Sequence, residues 1–267
     1  MRKANIFSAM TGGLMAVAMM FTSCSDKMDE EVVSSNPSDQ VPSEVVSKLG
    51  KLGFNTDGIK MDGQNFLVEG DMVITPEALA EMGEGVSVPG IAGEEQYRTY
   101  NLVNCNGSRT IRVRSYITSG VRSTGIDYAL ANWNALNTCF TFQRVYSGSA
   151  DIYIYSTSGG GGSAGFPSGG NPYRYVYMGS SLSNSQTSEH VATHEIGHCF
   201  GMRHTDYFNR AYSCGSGGNE GDGGVGAIHI PNTPTSYDSG SIMNSCFSSS
   251  TNGEFGTYDR RALESLY

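Results

Sequence analysis

The segment Thr193–Asp206, THEIGHCFGMRHTD, collects three of the five histidines in a 267-residue chain and sets Glu195 between the first two. His194 and His198 are four apart, a spacing that stacks two side chains on one face of a helix. Glu195 lies one position further round, close to that face but out of line with it. Two imidazoles and an adjacent carboxylate are the parts of a hydrolytic zinc site: the imidazoles hold the metal and the carboxylate takes a proton from water. Gly201 permits a positive φ, so the chain can turn out of the helix and return His204 as a third ligand, leaving a fourth position open. H-E-x-x-H alone arises by chance as two surface histidines on a helix. The longer H-E-x-x-H-x-x-G-x-x-H pattern present here is much harder to reach by accident.

Neighbouring polar residues read more plainly. His190, one turn before His194, would close the site as a fourth ligand, so a surface or supporting role fits it better. His229 reads as a loop histidine. Asp206 is placed to orient a ligand or to brace the loop, because ligating imidazoles donate their second N–H to an acceptor. Cys199 points off the ligand face and reads as a packed or disulfide-bonded thiol.

Several elements must position this segment. TIRVRSYI alternates as a strand, with Ile111 and Val113 on one face. TGIDYALANWNAL puts Ile126, Ala129, Leu130, Trp133 and Leu136 on one helical stripe, with Thr124 and Asp127 as candidate caps. FTFQRV, DIYIY and YRYVYM read as strands. The glycine-rich SGGGGSAGFPSGGNP between the last two reads as a flexible surface loop, since no Lys-Ser/Thr follows as a phosphate loop would need. SQTSEHVATHEIGHCFG is a helix ending at Gly201. The fold class is α+β.

At these residues the sequence resembles the metzincin clan of zinc metallopeptidases, over roughly residues 97–267. HEIGH, GMRHTD, NEGDGGVGAIHIPNTPT and SIMN look most like the dual-action HEIGH metallopeptidases. The resemblance implies a twisted mixed sheet, an active-site helix, a Met-turn at Met243 flooring the metal without bonding it, and a C-terminal helix in FGTYDRRALESLY with Ala262, Leu263 and Leu266 on one face. It also implies that SAGF, Ser163–Phe166, which precedes the last strand before the active-site helix, forms the sheet edge on which an extended peptide pairs as an added strand. The metal is one zinc ion on His194, His198 and His204, with Glu195 as general base. Some metzincins carry an oxyanion-stabilising Tyr two residues after the Met-turn methionine; here that residue is Ser245, and Tyr207, Tyr212 and Tyr237 are the substitutes to consider.

The N-terminus reads as an address. Arg2 and Lys3 precede a short apolar run to Phe21, and FTSC then resembles the lipobox of a bacterial lipoprotein, with Cys24 as the lipidated first residue. The expected organisation is a signal peptide at 1–23, an acidic tether at 24–42, a pro-segment or appendage at 43–95 and a catalytic domain at 96–267. Within the appendage, SEVVSKLGKLGF reads as a short helix, NFLVEGDMVI as a strand, and TPEALAEMG as a helix capped by Thr75. A carboxylate could silence the zinc from here; Asp57, Asp62 and Asp71 are the candidates, although Asp71 reads first as a solvent-facing strand residue. Five further cysteines allow two disulfides and one thiol. Sequence position favours Cys214 with Cys246 and leaves Cys105 with Cys139, a connectivity that sequence does not fix.

A formal charge of −9 and the absence of Lys/Arg clusters exclude nucleic acid. The expected protein is therefore a monomeric zinc endopeptidase, lipid-anchored to the bacterial outer membrane or cell surface and acting on extended peptides. An adhesion lipoprotein on a peptidase scaffold would have no use for Glu195. A cell-wall peptide hydrolase would use the same site, and casein against peptidoglycan separates the two substrates.

Overall fold

The computed structural model describes residues 40–82, 96–222, 224–234 and 237–267. The leader, Cys24, most of the tether and the linker up to Glu95 lie outside them. Among the described residues no helix is long and apolar enough to cross a membrane.

The N-terminal segment contributes α1 (Ser43–Lys51), β1 (Lys60–Asp62), β2 (Asn65–Val68), β3 (Met72–Ile74) and α2 (Pro76–Glu81). The rest of the chain supplies β4 (Tyr97–Arg98), β5 (Arg109–Ser115), α3 (Gly120–Asn134), β6 (Phe140–Val145), β7 (Ile152–Thr157), β8 (Gly162–Ala164) and β9 (Tyr175–Gly179). It ends with α4 (Ser185–Cys199), α5 (Ala211–Cys214), β10 (Ile228–His229) and α6 (Thr257–Leu266).

One mixed sheet of eight strands runs in the order β1-β2-β3-β8-β9-β7-β5-β6. Strands β5, β6, β7 and β9 pair in parallel, and α3 makes the crossover from β5 to β6 that parallel neighbours require. β8 reverses direction against β9, and β3 of the N-terminal segment pairs in parallel with β8. Helices α3 and α4 pack against each other beside this sheet. The expected stripe of Ile126, Ala129, Leu130, Trp133 and Leu136 is buried, with Trp133 between the rings of Phe142, Phe200 and Phe255.

Three local readings need correction. The segment 65–74 is a hairpin, not one strand: Glu69 and Gly70 both take positive φ, 56° and 100°, and fold it back on itself. Glycine enters that region freely, whereas glutamate does so at a cost and must be held there. Helix α3 begins at Gly120, four residues before the expected caps; Thr124 is a helix-interior residue, and Asp127 instead meets Arg144 Nη1 at 2.6 Å. The polar, weakly patterned first turn hid that start. The glycine-rich loop contains an ordered strand, β8, because Gly162 sits directly against α4. A Cβ at Gly162 would lie 2.5 Å from Glu195 Oε1 and 2.7 Å from Val191 Cγ1, so only glycine lets this edge approach the helix.

The N-terminal segment holds more core than its small elements imply. Leu49, Leu52, Phe54, Phe66, Val68, Met72, Ile74, Leu79 and Met82 form a separate apolar cluster, with Phe166 and Val225 of the following region packed against it. Thr75 accepts from Ala78 N at the start of α2, as its capping position requires.

Asp259 ties distant parts together. Its carboxylate accepts from Gln96 Nε2 at 2.8 Å, Ser241 Oγ at 2.7 Å, Ile242 N at 2.9 Å and Gly256 N at 2.8 Å, in full burial. Asp259→Asn faces an NH2 group towards donors and strands at least one of them, for a loss of about 3 kcal/mol or more. The expected result is a lower urea midpoint with an unchanged slope. A wild-type midpoint would mean that these contacts contribute little.

Candidate metal centre and peptide cleft

Helix α4 starts at Asn184, whose side chain accepts from Thr187 N at 2.7 Å, and every residue from Ser188 to Cys199 is buried. A helix immersed in this way can present precise geometry because no side chain from Ser188 onward is free to move into solvent. The chain leaves α4 through Gly201, at φ 91°, which returns His204 towards the helix as the motif requires.

All three histidines are oriented from behind. His194 Nδ1 meets Ile242 O at 2.8 Å, His198 Nδ1 meets Met202 O at 2.9 Å, and His204 Nδ1 meets Glu220 Oε1 at 2.8 Å. Acceptors at Nδ1 fix the proton there and leave the Nε2 lone pair for a metal. The Nε2 atom of His198 is buried without a hydrogen-bond partner, and ligand atoms of Asp71, His194, His198 and His204 lie within 4.8 Å of one another. Such a donor set fits one zinc ion.

Burial, then the charge on His204, pushes the His194 pKa down to about 4, and burial with both neighbouring imidazoles holds His198 well below its usual value. Burial alone would lower His204 too, but the carboxylates of Asp71 and Glu220 overcome it and hold that imidazole well above the usual range. Glu195 is 2 % exposed. Burial and the Asp71 carboxylate push its carboxyl well above the ordinary range, with His204 pulling the other way.

Asp71 is not a solvent-facing strand residue. It follows the strained Glu69–Gly70 turn, and its Oδ2 lies 3.0 Å from His204 Nε2 and 4.0 Å from His194 Nε2. Two contacts hold that turn: Arg210 Nη1 donates to Glu69 O at 2.6 Å, and Asn55 N donates to Glu69 Oε1 at 2.9 Å. Ala164 N donates to Asp71 O at 3.0 Å, so the segment joins the β8 edge at the same point. Glu69, Gly70 and Asp71 line the cleft of about 190 Å³ beside Glu195. Asp57 and Asp62 do not line it.

Sequence reasoning missed Glu220. It is fully buried, holds His204, and receives Arg203 Nη2 at 3.7 Å and Arg210 Nε at 3.5 Å. Burial would raise its carboxyl, but the charges of His204, Arg203 and Arg210 bring it down to about 2. It stands sixteen positions after His204, beyond the single-turn α5, so no helical or strand period could announce the pair. Asp206 takes the bracing role: it accepts from Ser245 N at 2.9 Å, Ser245 Oγ at 2.8 Å and Ser213 Oγ at 2.5 Å.

Met243 lies beneath α4, where a Cβ on Gly197 would come 2.5 Å from its sulfur. The turn carrying it also supplies Ile242 O to His194 and Met243 O to Thr205 N. Ser245 donates to Asp206 and Glu220, so its hydroxyl is already engaged. Tyr207 is buried against Tyr97, and Tyr212 stacks on Tyr237; none of the three lines the cleft. His190 is buried rather than on the surface and meets Thr251 Oγ1 at 2.7 Å, while His229 meets Thr233 Oγ1 at 3.0 Å. Both favoured disulfides are present, Cys105–Cys139 and Cys214–Cys246, and Cys199 is a buried free thiol.

The chain shares limited likeness with three solved structures. Two structures of myroilysin are 20 % and 21 % identical, with TM-scores of 0.43 and 0.40; the matches cover 64 % and 74 % of this chain and 98 % of that one. High choriolytic enzyme 1, a hatching enzyme zinc-protease from the medaka fish Oryzias latipes, is 17 % identical with a TM-score of 0.39, covering 62 % of this chain and 92 % of its own. No curated protein sequence matches at a significant level. The family description "Dual-action HEIGH metallo-peptidase" matches residues 66–267, which takes in the hairpin carrying Asp71 as well as the histidine motif. The chain belongs to that family of metallopeptidases and is a zinc-dependent endopeptidase.

Proposed function

We propose that His194, His198 and His204 hold the catalytic zinc, that Glu195 is the general base, and that residues 43–95 keep the enzyme latent with Asp71 as the latch. Zinc, when bound, polarises the scissile carbonyl and lowers the pKa of a water to roughly 7. Glu195 takes the proton from that water and hands it to the leaving amine. Its carboxylate is positioned for this by Gly162, which allows β8 to lie against it. An extended peptide adds to the β8 edge, the place that β3 fills here.

The observation that carries the latch is the 3.0 Å approach of Asp71 Oδ2 to His204 Nε2, among the atoms that would hold the metal. A carboxylate there would take the coordination site that water needs, and the hairpin behind it covers the edge that substrate needs. The experiment is zinc content together with peptide-library cleavage, comparing the full chain with a version starting near Gln96. Cleavage confined to the shorter protein supports the reading. Equal cleavage by both would make the segment a spacer.

Location is a separate proposal, resting on the FTSC sequence: Cys24 carries lipid, and the monomeric enzyme acts at the outer membrane or cell surface. Cys24→Ala is expected to move the protein from the membrane fraction to the soluble fraction or to block its processing. A mature N-terminus elsewhere than Cys24, found by mass spectrometry, would overturn this.

A further inference from the structure

Among the described residues, Arg210 is the only lysine or arginine that lines the cleft beside Glu195. It stands at the start of α5, which the Cys214–Cys246 disulfide ties to the segment after Met243. Its backbone N donates to Gly218 O at 3.0 Å, and a Cβ on Gly217 would come 2.9 Å from the Arg210 Cβ, so the loop closes tightly on its stem. The guanidinium is fixed at one end, where Nε meets the buried carboxylate of Glu220 at 3.5 Å. Five N–H donors in a rigid fork are more than that one contact uses.

At the other end Nη1 donates to Glu69 O at 2.6 Å. This acceptor is a main-chain carbonyl, two residues before Asp71, whose Oδ2 lies among the atoms that would hold the metal. Ala164 N of β8 donates to Asp71 O. Residues 69–71 are therefore gripped at two main-chain oxygens by groups of the catalytic region. Neither contact involves what is particular to the hairpin, because any extended chain laid in the cleft carries carbonyls. Departure of the hairpin takes Glu69 O from Nη1 but leaves Glu220 on Nε. The fork is then held in place with a charged donor unpaired. Ser245 cannot share that task, since its hydroxyl is engaged by Asp206 and Glu220.

We propose that Arg210 is a substrate-binding residue: with the hairpin displaced, its Nη1 donates to a main-chain carbonyl of the peptide at a position flanking the scissile bond. The proposal rests on the endopeptidase reading, with a displaceable hairpin, and adds a residue to it. One donor then serves two occupants in turn, so hairpin and substrate compete for Arg210 as well as for the β8 edge. Contact with the main chain makes the grip independent of the peptide's side chains.

The test compares one cleaved peptide with analogues in which a single carbonyl oxygen at a time is replaced by sulfur, a weaker acceptor. The enzyme is the zinc-loaded full chain carrying Asp71→Ala, alone and with Arg210→Met or Arg210→Lys added. The ratio of kcat/KM between two peptides on one enzyme cancels the share of molecules whose hairpin is open. The expected result is one position, other than the scissile one, where sulfur costs roughly ten-fold with Arg210 present. That cost disappears in Arg210→Met and returns in part in Arg210→Lys, while zinc content is unchanged because Arg203 still faces Glu220. If Arg210→Met cleaves every peptide faster by a common factor, with all oxygen-to-sulfur ratios unchanged, Arg210 serves the hairpin alone and the proposal is overturned. A preference for Asp or Glu that is lost in Arg210→Met would also overturn it, by placing a side chain on the guanidinium. If zinc is bound and nothing is cleaved, the endopeptidase reading fails, and calorimetric binding of the same peptides to the zinc-free Asp71→Ala chain decides Arg210 separately. Binding weakened by sulfur at one position, with Arg210 but not with Arg210→Met, upholds the contact; binding without that pattern, or none, overturns it.

Discussion

Glu195→Ala retains zinc and loses roughly 10²–10⁴-fold in turnover, the range that a positioned general base contributes. Zinc stays because none of the three imidazoles is oriented by Glu195; their Nδ1 atoms are held by Ile242 O, Met202 O and Glu220. Turnover falls because no other carboxylate of the catalytic region lines the cleft to take the proton. His204→Ala differs in kind: it removes a ligand and takes from buried Glu220 its closest partner, so metal and activity go together. Metal analysis beside kcat on one peptide, using protein that starts near Gln96, separates the two variants. Near-normal turnover in Glu195→Ala would remove the proposed base.

Asp71→Ala is expected to raise the peptidase activity of the full-length chain. Asp71 would bind the metal from its place among the three histidines, a charge-assisted contact of a kind that contributes about 1.5–3 kcal/mol. Losing it shifts the closed-to-open balance about ten- to hundred-fold. The hairpin still pairs with β8 through its backbone, so the variant should remain less active than protein lacking the segment. Asp57→Ala and Asp62→Ala serve as controls that leave latency intact. An Asp71→Ala rate no higher than that of the parent chain would show that the hairpin blocks the cleft without a latch.

The parts legible in the sequence were those with a short period or a fixed spacing. His194 and His198 follow from a four-residue helical step, and the apolar stripe ending at Leu136 follows from the same rule. Gly201 was legible because a sharp exit from a helix calls for a residue that tolerates positive φ. What escaped was set by tertiary contact. Glu220 meets His204 across an irregular loop, Asp259 collects donors from Gln96 to Gly256, and the Glu69 turn exists because Arg210 and Asn55 hold it. Asp71 looked like a strand residue because a hairpin with glutamate at positive φ has no local signature. Gly162 looked like a loop glycine because the atom excluding any larger residue belongs to Glu195, far along the chain.

The separate apolar cluster of the N-terminal segment has a consequence for how the enzyme is switched on. On the proposed latch reading, the hairpin while joined to the catalytic region is a tethered inhibitor at an effective concentration in the millimolar range, as expected for a short linker. A cut between residues 83 and 95 ends the tethering but leaves the cluster, its packing on Phe166 and Val225, and the β3–β8 pairing in place. Nicking and activation are therefore distinct events. The nicked protein should remain silent in concentrated solution and gain activity on dilution, as the freed fragment escapes and rebinds more slowly than it leaves. In crowded surroundings, the rate of fragment loss or degradation, rather than the cut itself, would time the onset of proteolysis.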